Sequence, residues 1–234
     1  MSVSAIVCNT SQPDTPPSTV VTSCILSRLR LETRDEHDSV EKVLDLMSPS
    51  LTLDGYRQRL TQFYGFYAPL EEILKDISKH QSQKADETGM SPYTREAMTM
   101  RLNKTALLRR DLCYLGAEIE NLPFCSSLPS TETQAEVLGC VYVMEGATLG
   151  GRLITQHVHT TLGITPTTGG SFFDGYGHET GVMWQAMRQI LVKSASDTDT
   201  EDTLVASAIA TFAGLRRWCE STKQQTTTEA IRHA

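Results

Sequence analysis

The stretch Leu138–Ile154, LGCVYVMEGATLGGRLI, constrains this chain more than any other. Its apolar residues recur at helical spacing, yet Gly146, Gly150 and Gly151 stand in its middle. Each glycine inside a helix costs about 1 kcal/mol relative to alanine, so three together need a compensating reason. Gly146 and Gly150 are four apart and share one helix face, with Gly151 beside them. That face has no side chains. Close packing of a second helix is the commoner reason for such a pattern. The other is a broad, flat partner lying directly on the backbone.

The rest of the chain reads as helices around this one. Strand-like alternation is absent, and apolar residues repeat at three and four. A first helix is expected over 23–47, with Ile25, Leu26, Leu29, Val40, Leu44 and Met47 as its stripe and Ser48-Pro49-Ser50 as its stop. Asp54 caps a second helix that runs through Tyr56, Leu60, Phe63, Tyr64 and Tyr67 to about His80, with a kink at Pro69. After a polar loop at 81–89, Ser91-Pro92 restarts a basic helix. Arg95, Arg101, Lys104, Arg109 and Arg110 surround its apolar stripe of Met98, Leu102, Leu108 and Leu112, as a solvated face. A turn region at 122–130, the glycine-bearing helix at 131–162, a loop at 163–170, the aromatic segment Phe172–Gly177 and helices at 179–194 and 199–222 complete the order. This is an all-α, single-domain helical bundle over 22–222, with a polar, proline-bearing tail at 1–21 and a flexible polar tail at 223–234.

Composition narrows the function classes. A length of 234 residues suits one domain with a real core. A net charge of −7 argues against a nucleic-acid partner. No uninterrupted apolar run suggests a membrane span, and the N-terminus lacks the basic and apolar regions of a secretory signal. The six cysteines contain no CxxC pair, so neither a zinc site nor a redox dithiol is expected. A cytoplasmic location with free thiols follows, with Cys113 and Cys140 as core residues.

Among the histidines, His80, His157, His159, His178 and His233 sit in polar contexts, whereas His37 lies on an apolar face with Val40, Leu44 and Met47. A satisfied core histidine is the commoner explanation, but two neighbours favour a ligand. Glu41, one turn on, can orient the imidazole. Arg30, two turns back and about 10 Å along the axis, suits a carboxylate at the rim of a large ligand.

Thr33-Arg-Asp-Glu-His37, Tyr56, Phe63–Glu71 (FYGFYAPLE), Leu138–Gly151, and Phe172–Gly177 (FFDGYG) with Trp184 together resemble bacterial haem oxygenases, with the closest likeness to the branch associated with bacteriophytochromes. The resemblance spans about 22–222 with the motifs in order. It implies an all-helical fold with haem between a proximal helix and a glycine-rich distal helix. His37 corresponds to the proximal iron ligand and Glu41 to its supporting carboxylate. Gly146, Gly150 and Gly151 correspond to the distal helix over the haem, and Arg30 and Arg188 to propionate partners. Tyr176 is read as a haem contact or a packing residue of its turn; Phe172 and Phe173, like Tyr64, Phe66 and Tyr67, are read as core. Mammalian-type members have an aspartate after the first distal glycine that anchors a water network; here it is Ala147, as in many bacterial relatives.

The implied reaction cleaves haem to biliverdin, iron and carbon monoxide with oxygen. No flavin or nicotinamide motif is present, so electrons would come from a ferredoxin or flavoprotein reductase, for which the face at Arg95–Arg110 offers a docking surface. The product would supply a bacteriophytochrome. A non-catalytic haem carrier or sensor on the same scaffold is the alternative. A di-iron bundle would need paired Glu-x-x-His motifs, which the sequence lacks.

Overall fold

The computed structural model describes residues 24–79 and 88–232, with side chains as far as Lys223. Among these residues every regular element is helical: α1 Ile25–Glu32, α2 Arg34–Leu44, α3 Leu53–Ser78, α4 Pro92–Thr99, α5 Lys104–Tyr114, α6 Gln134–Leu162, α7 Ser171–Asp174, α8 Thr180–Ser194 and α9 Thr198–Arg232, with a 3-10 turn at Gly177–Glu179. The expected tail at 1–21, most of the loop at 81–89 and His233 lie outside the described residues.

Several element boundaries differ from the sequence reading: α2 ends at Leu44, leaving Met47 beyond it and exposed, and α3 is capped by Thr52, whose hydroxyl accepts from Gly55 N–H, rather than by Asp54. The first helix is two, α1 and α2, divided at Thr33, whose hydroxyl donates to the Leu29 carbonyl at 2.6 Å; such back-bonding competes with the helical ladder and bends it. The single basic helix is also two, α4 and α5, separated by residues 100–103. The last helix runs to Arg232 rather than ending at Thr222; no glycine or proline interrupts 215–232.

α3 is buried all round at Gln62–Tyr67, the signature of a central helix. Pro69 has no N–H to give the Gly65 carbonyl, and Cys125 N–H donates to it instead at 2.9 Å. A Cβ on Gly65 would sit 2.6 Å from the Trp218 ring and 2.7 Å from the Pro123 carbonyl oxygen, so α9 and the 123–125 segment both press on α3 there.

α6 begins with a capping box: Thr133 Oγ1 accepts from Glu136 N–H at 3.2 Å, and Glu136 accepts from Thr133 N–H at 2.9 Å. It ends at Gly163 in the left-handed region, φ 71°. Its neighbour over much of its length is α9. The helices meet at Gly139, where a Cβ would lie 2.6 Å from Ser207 Cβ, and the Ser207 hydroxyl donates to the Glu136 carbonyl at 2.7 Å. By length and composition α6 could cross a membrane, but more than half of its apolar window is buried inside the bundle. α9 packs on α2 as well, whereas α2 and α6 are not among the closely packed helix pairs.

Asp111 on α5 holds the aromatic segment. It accepts from Ser171 N–H (2.9 Å), Ser171 O–H (2.6 Å) and Phe172 N–H (2.7 Å). Burial raises its carboxyl pKa against these bonds. Phe172 and Phe173 enter a ring cluster with Phe63, Tyr67 and Tyr56, as core residues.

Gly65→Ala should lower unfolding free energy by about 1–3 kcal/mol, the range for overpacking a filled site. Urea denaturation measures it, and an unchanged midpoint would show that α9 and the 123–125 segment do not press on α3 at this point.

Candidate functional site

The three glycines of α6 divide. A Cβ built on Gly146 or on Gly150 meets nothing within 4 Å, whereas one on Gly151 would stand 2.1 Å from the Phe173 carbonyl oxygen. Gly151 is therefore a packing glycine, and the open backbone face belongs to Gly146 and Gly150. The exposed Leu149 and Leu153 flank it.

This face lies between two places where α6 meets the α1–α2 arm. At one, the Tyr142 hydroxyl meets Thr33; burial pushes its pKa up, while Thr33 and the nearby Arg30 guanidinium pull the other way. At the other, His157 Nε2 bonds the Ser48 carbonyl at 2.9 Å. The fifteen-residue interval from Tyr142 to His157 spans about 22 Å of helix. Gly146 and Gly150 fall within it on α6, and His37 and Glu41 fall within the facing interval from Thr33 to Ser48. The two arms are thus joined at either end of this interval, and the space bounded by the two contacts, the cleft, has no side chain at its two glycine positions.

His37 is half-exposed, with its ring edge-on to Phe212 of α9, centroids 5.5 Å apart. Its Nδ1 is 3.6 Å from Asp38 and its Nε2 3.8 Å from Glu41. Both distances exceed hydrogen-bond range, so neither carboxylate is hydrogen-bonded to the ring. The three side chains also bring their ligand atoms within 4.8 Å of one another, with Asp38 and Glu41 solvent-facing.

At the Tyr142 end, the Trp184 ring of α8 lies 5.9 Å from the Tyr142 ring. Arg188, exposed, is one turn further along α8 on the face of Trp184. Arg30, also exposed, neighbours Tyr142 from the other side. Arg30 thus neighbours Tyr142, and Arg188 stands one turn from its partner Trp184.

Glu145 points the other way. Adjacent helical positions are about 100° apart, and Glu145 is turned into the protein, where its Oε1 lies 2.9 Å from Lys104 Nζ and accepts from the Tyr176 hydroxyl at 2.8 Å. Its Oε2 is 3.5 Å from Arg101 Nε. Tyr176 thus has its hydroxyl committed to Glu145 and to Lys104, 3.1 Å away. The solvated basic face expected over Arg95–Arg110 is accordingly corrected: Arg95, Arg101 and Lys104 are buried, because the break at 100–103 turns Arg101 and Lys104 inward. Arg109 and Arg110 are exposed as expected. Cys140 is core, but Cys113 is exposed, since it lies just past Leu112 on a helix that buries Leu108, Asp111 and Leu112.

Sequence reasoning overlooked Phe212, Tyr142 and His157 as cleft residues. His157 had a readable signal: it is two turns beyond Gly150 on the same face. Phe212 had none, because its contact with His37 joins distant elements.

A sequence model of the family described as heme oxygenase matches residues 23–221. Comparison with functionally curated proteins finds no match. Among solved structures, a heme oxygenase of Neisseria meningitidis is similar at 19% identity and a TM-score of 0.67, over 86% of this chain and 92% of that one. That of Leptospira interrogans is similar at 19% identity and 0.66, over 85% and 99%. A Shewanella denitrificans domain of unknown function with a heme oxygenase-like fold is similar at 13% identity and 0.64, over 86% and 93%.

Gly151→Ala should destabilise the protein by about 1–3 kcal/mol, while Gly146→Ala and Gly150→Ala should each add up to about 1 kcal/mol through helix propensity. Thermal unfolding of the ligand-free protein reads all three. An equal loss at each would mean that the face at 146 and 150 is packed in solution.

Proposed function

We propose that this chain, which belongs to the haem oxygenase family, oxidatively cleaves haem to biliverdin, ferrous iron and carbon monoxide, with oxygen and electrons from an external donor. The observation that carries the reading is the bare backbone face at Gly146 and Gly150, within the stretch of α6 whose ends meet the arm that bears His37, an imidazole with no carboxylate in hydrogen-bond range. A Cβ at either glycine would project into the cleft, so the residues present fit a flat macrocycle.

In this reading His37 supplies the single protein donor to the iron as a neutral imidazole. Glu41 and Asp38, at 3.8 and 3.6 Å from its nitrogens, orient the ring and favour its donor character. Arg30 and Arg188, both exposed, would hold the two propionates. Leu149, Leu153 and Phe212 contribute apolar surface, at roughly 25 cal/mol per Å² buried. Haem, when bound, supplies the iron at which oxygen is activated and the porphyrin edge that is oxidised. The chain directs that chemistry by what it withholds: Ala147 follows the first glycine and Glu145 is turned away, so neither places a carboxylate on the bare face. The bare backbone at Gly146 and Gly150 would lie against the bound macrocycle and would limit which of its edges is accessible.

The exposed Arg109 and Arg110 suit an acidic donor such as a ferredoxin or the acidic face of a flavoprotein reductase. A cytoplasmic setting and delivery of biliverdin to a bacteriophytochrome are part of the same proposal, on the sequence likeness to that branch. A second reading, a haem carrier or sensor, is supported by Ala147 and by the similarity to a domain of unknown function. Adding reductant in air to the haem-loaded protein separates the two: the enzyme produces biliverdin, and the carrier keeps its haem spectrum.

His37→Ala should retain haem through apolar burial and propionate pairing but form no bilin, and added imidazole should restore part of the activity. Glu41→Ala should lower turnover by about 10–100-fold at most. Bilin formation and the iron spectrum measure both, and wild-type ligation in unaided His37→Ala would assign the axial bond elsewhere. Charge reversal at Arg109 and Arg110 should slow ferredoxin-driven turnover roughly tenfold and leave ascorbate-driven turnover unchanged. Equal slowing with both donors would mean that these arginines do not dock the protein donor.

A further inference from the structure

The ionic cluster behind α6 has no role in the reaction outlined above, yet it is the most deeply buried charged group among the described residues of this helix. Lys104, Glu145 and Arg101 have side chains 1%, 2% and 4% exposed. Glu145 Oε1 takes Lys104 Nζ at 2.9 Å and the Tyr176 hydroxyl at 2.8 Å; Oε2 faces Arg101 Nε at 3.5 Å. Lys104 also lies 4.3 Å over the Tyr176 ring, and Arg101 donates from its other nitrogens to the Ala97 and Met183 carbonyls. Burial lowers the Lys104 ammonium pKa, Glu145 pulls it back up, and burial together with Glu145 raises that of the Tyr176 phenol.

A buried ion pair is weak as a source of stability, since apolar residues of like volume serve as well or better. It is strong as a source of geometry, because charged hydrogen bonds tolerate little displacement. Here the geometry concerns the rotation of α6. Glu145 directly precedes Gly146. On the same inward side, Thr148 donates to the Glu145 carbonyl at 2.6 Å and abuts Gly175, and Gly151 lies on the Phe173 carbonyl. Glu145, Thr148 and Gly151 thus form a line at helical spacing, fastened to α5 and to the 171–177 segment. The open line of Gly146 and Gly150 lies on another side of the same two turns.

We propose that Glu145 is a positioning residue: held by Lys104 and the Tyr176 hydroxyl, with the Arg101 guanidinium paired to it at longer range, it fixes the rotation of α6 and so the placement of the Gly146–Gly150 backbone against bound haem. This rests on the haem reading. Any rotation of the helix at Glu145 moves Gly146 sideways and brings Leu149 or Leu153 toward the cleft.

The test uses the full chain with Glu145→Gln, with Tyr176→Phe as a milder variant that removes the hydroxyl's two hydrogen bonds, to Glu145 and from Lys104, and leaves the Glu145–Lys104 ion pair in place. Gly65→Ala serves as a control destabilised far from α6. In haem-free protein, amide exchange across 146–153 should be about threefold faster or more in both variants and parental in the control. In haem-loaded protein, affinity should stay near the parent value. The pH midpoint at which iron-bound water ionises should shift by about half a unit or more, and the ratio of biliverdin isomers should change, with the control parental in both. Variants that lose stability but keep the parental midpoint and isomer ratio would reduce the cluster to a core salt bridge and overturn the proposal, with the parent's haem turnover intact. A parent that takes up no haem would overturn the haem reading and this inference with it.

Discussion

The arrangement depends on the seam between α6 and α9. At Gly139 the two helices approach so closely that a single methyl group would collide with Ser207 and the Leu204 carbonyl. The seam carries polar fastenings as well: the Ser207 hydroxyl reaches the Glu136 carbonyl, and the Thr211 hydroxyl and Cys140 thiol lie together in its core. Because α9 also packs on α2, one helix sets the separation of the other two. Packed helices lie about 8–10 Å apart axis to axis. Two helices resting on a common third can therefore stand off from each other by a nearly constant gap without touching. A side-chain-free face on α6 is tolerable because its opposite side is so firmly held.

Buried carboxylates do much of the fastening. Asp111 gathers the backbone at 171–172, Glu71 accepts from Thr105 N–H at the start of α5, and Glu145 joins α6 to Lys104 and Tyr176. Asp111 and Glu71 each accept N–H groups at the start of another helix, where such groups lack an intrahelical acceptor, whereas Glu145, in the middle of α6, accepts from side chains. A chain of net charge −7 thus buries part of its negative charge as joinery, and two of the cations that answer it, Arg101 and Lys104, come from the short break between α4 and α5.

The helical class, the central α3 and the long α6 were legible in the sequence, because periodicity of three and four persists through Tyr56–Ile77 and Val137–Val158 and owes nothing to distant contacts. The candidate site was legible in part. His37 and Glu41 share α2 one turn apart, and Gly146 and Gly150 share one face, both local relations, whereas Arg30, expected two turns back on the same helix, stands on α1 across the break at Thr33. Gly151 was grouped with them by spacing, but its role depends on Phe173, which arrives from another element. The inward turn of Arg101 and Lys104 was hidden for the same reason: a basic stretch normally faces water, and only the break at 100–103, together with a carboxylate from α6, reverses it. Thr33 divided α1 from α2 through one hydroxyl bond, a perturbation too small for a periodic pattern to register.

The His157–Ser48 contact gives the cleft a mechanical asymmetry. At the Tyr142 end, α6 is backed by Trp184 and by the adjoining α9 seam, and parting the arms there would expose packed apolar surface. At the other end the arms are joined by a side chain bonded to a main-chain carbonyl, worth about 0.5–1.5 kcal/mol net. A turn of the imidazole about its own bonds releases that link without disturbing a single core contact. The frame is therefore fastened more heavily at its Tyr142 end than at its His157 end.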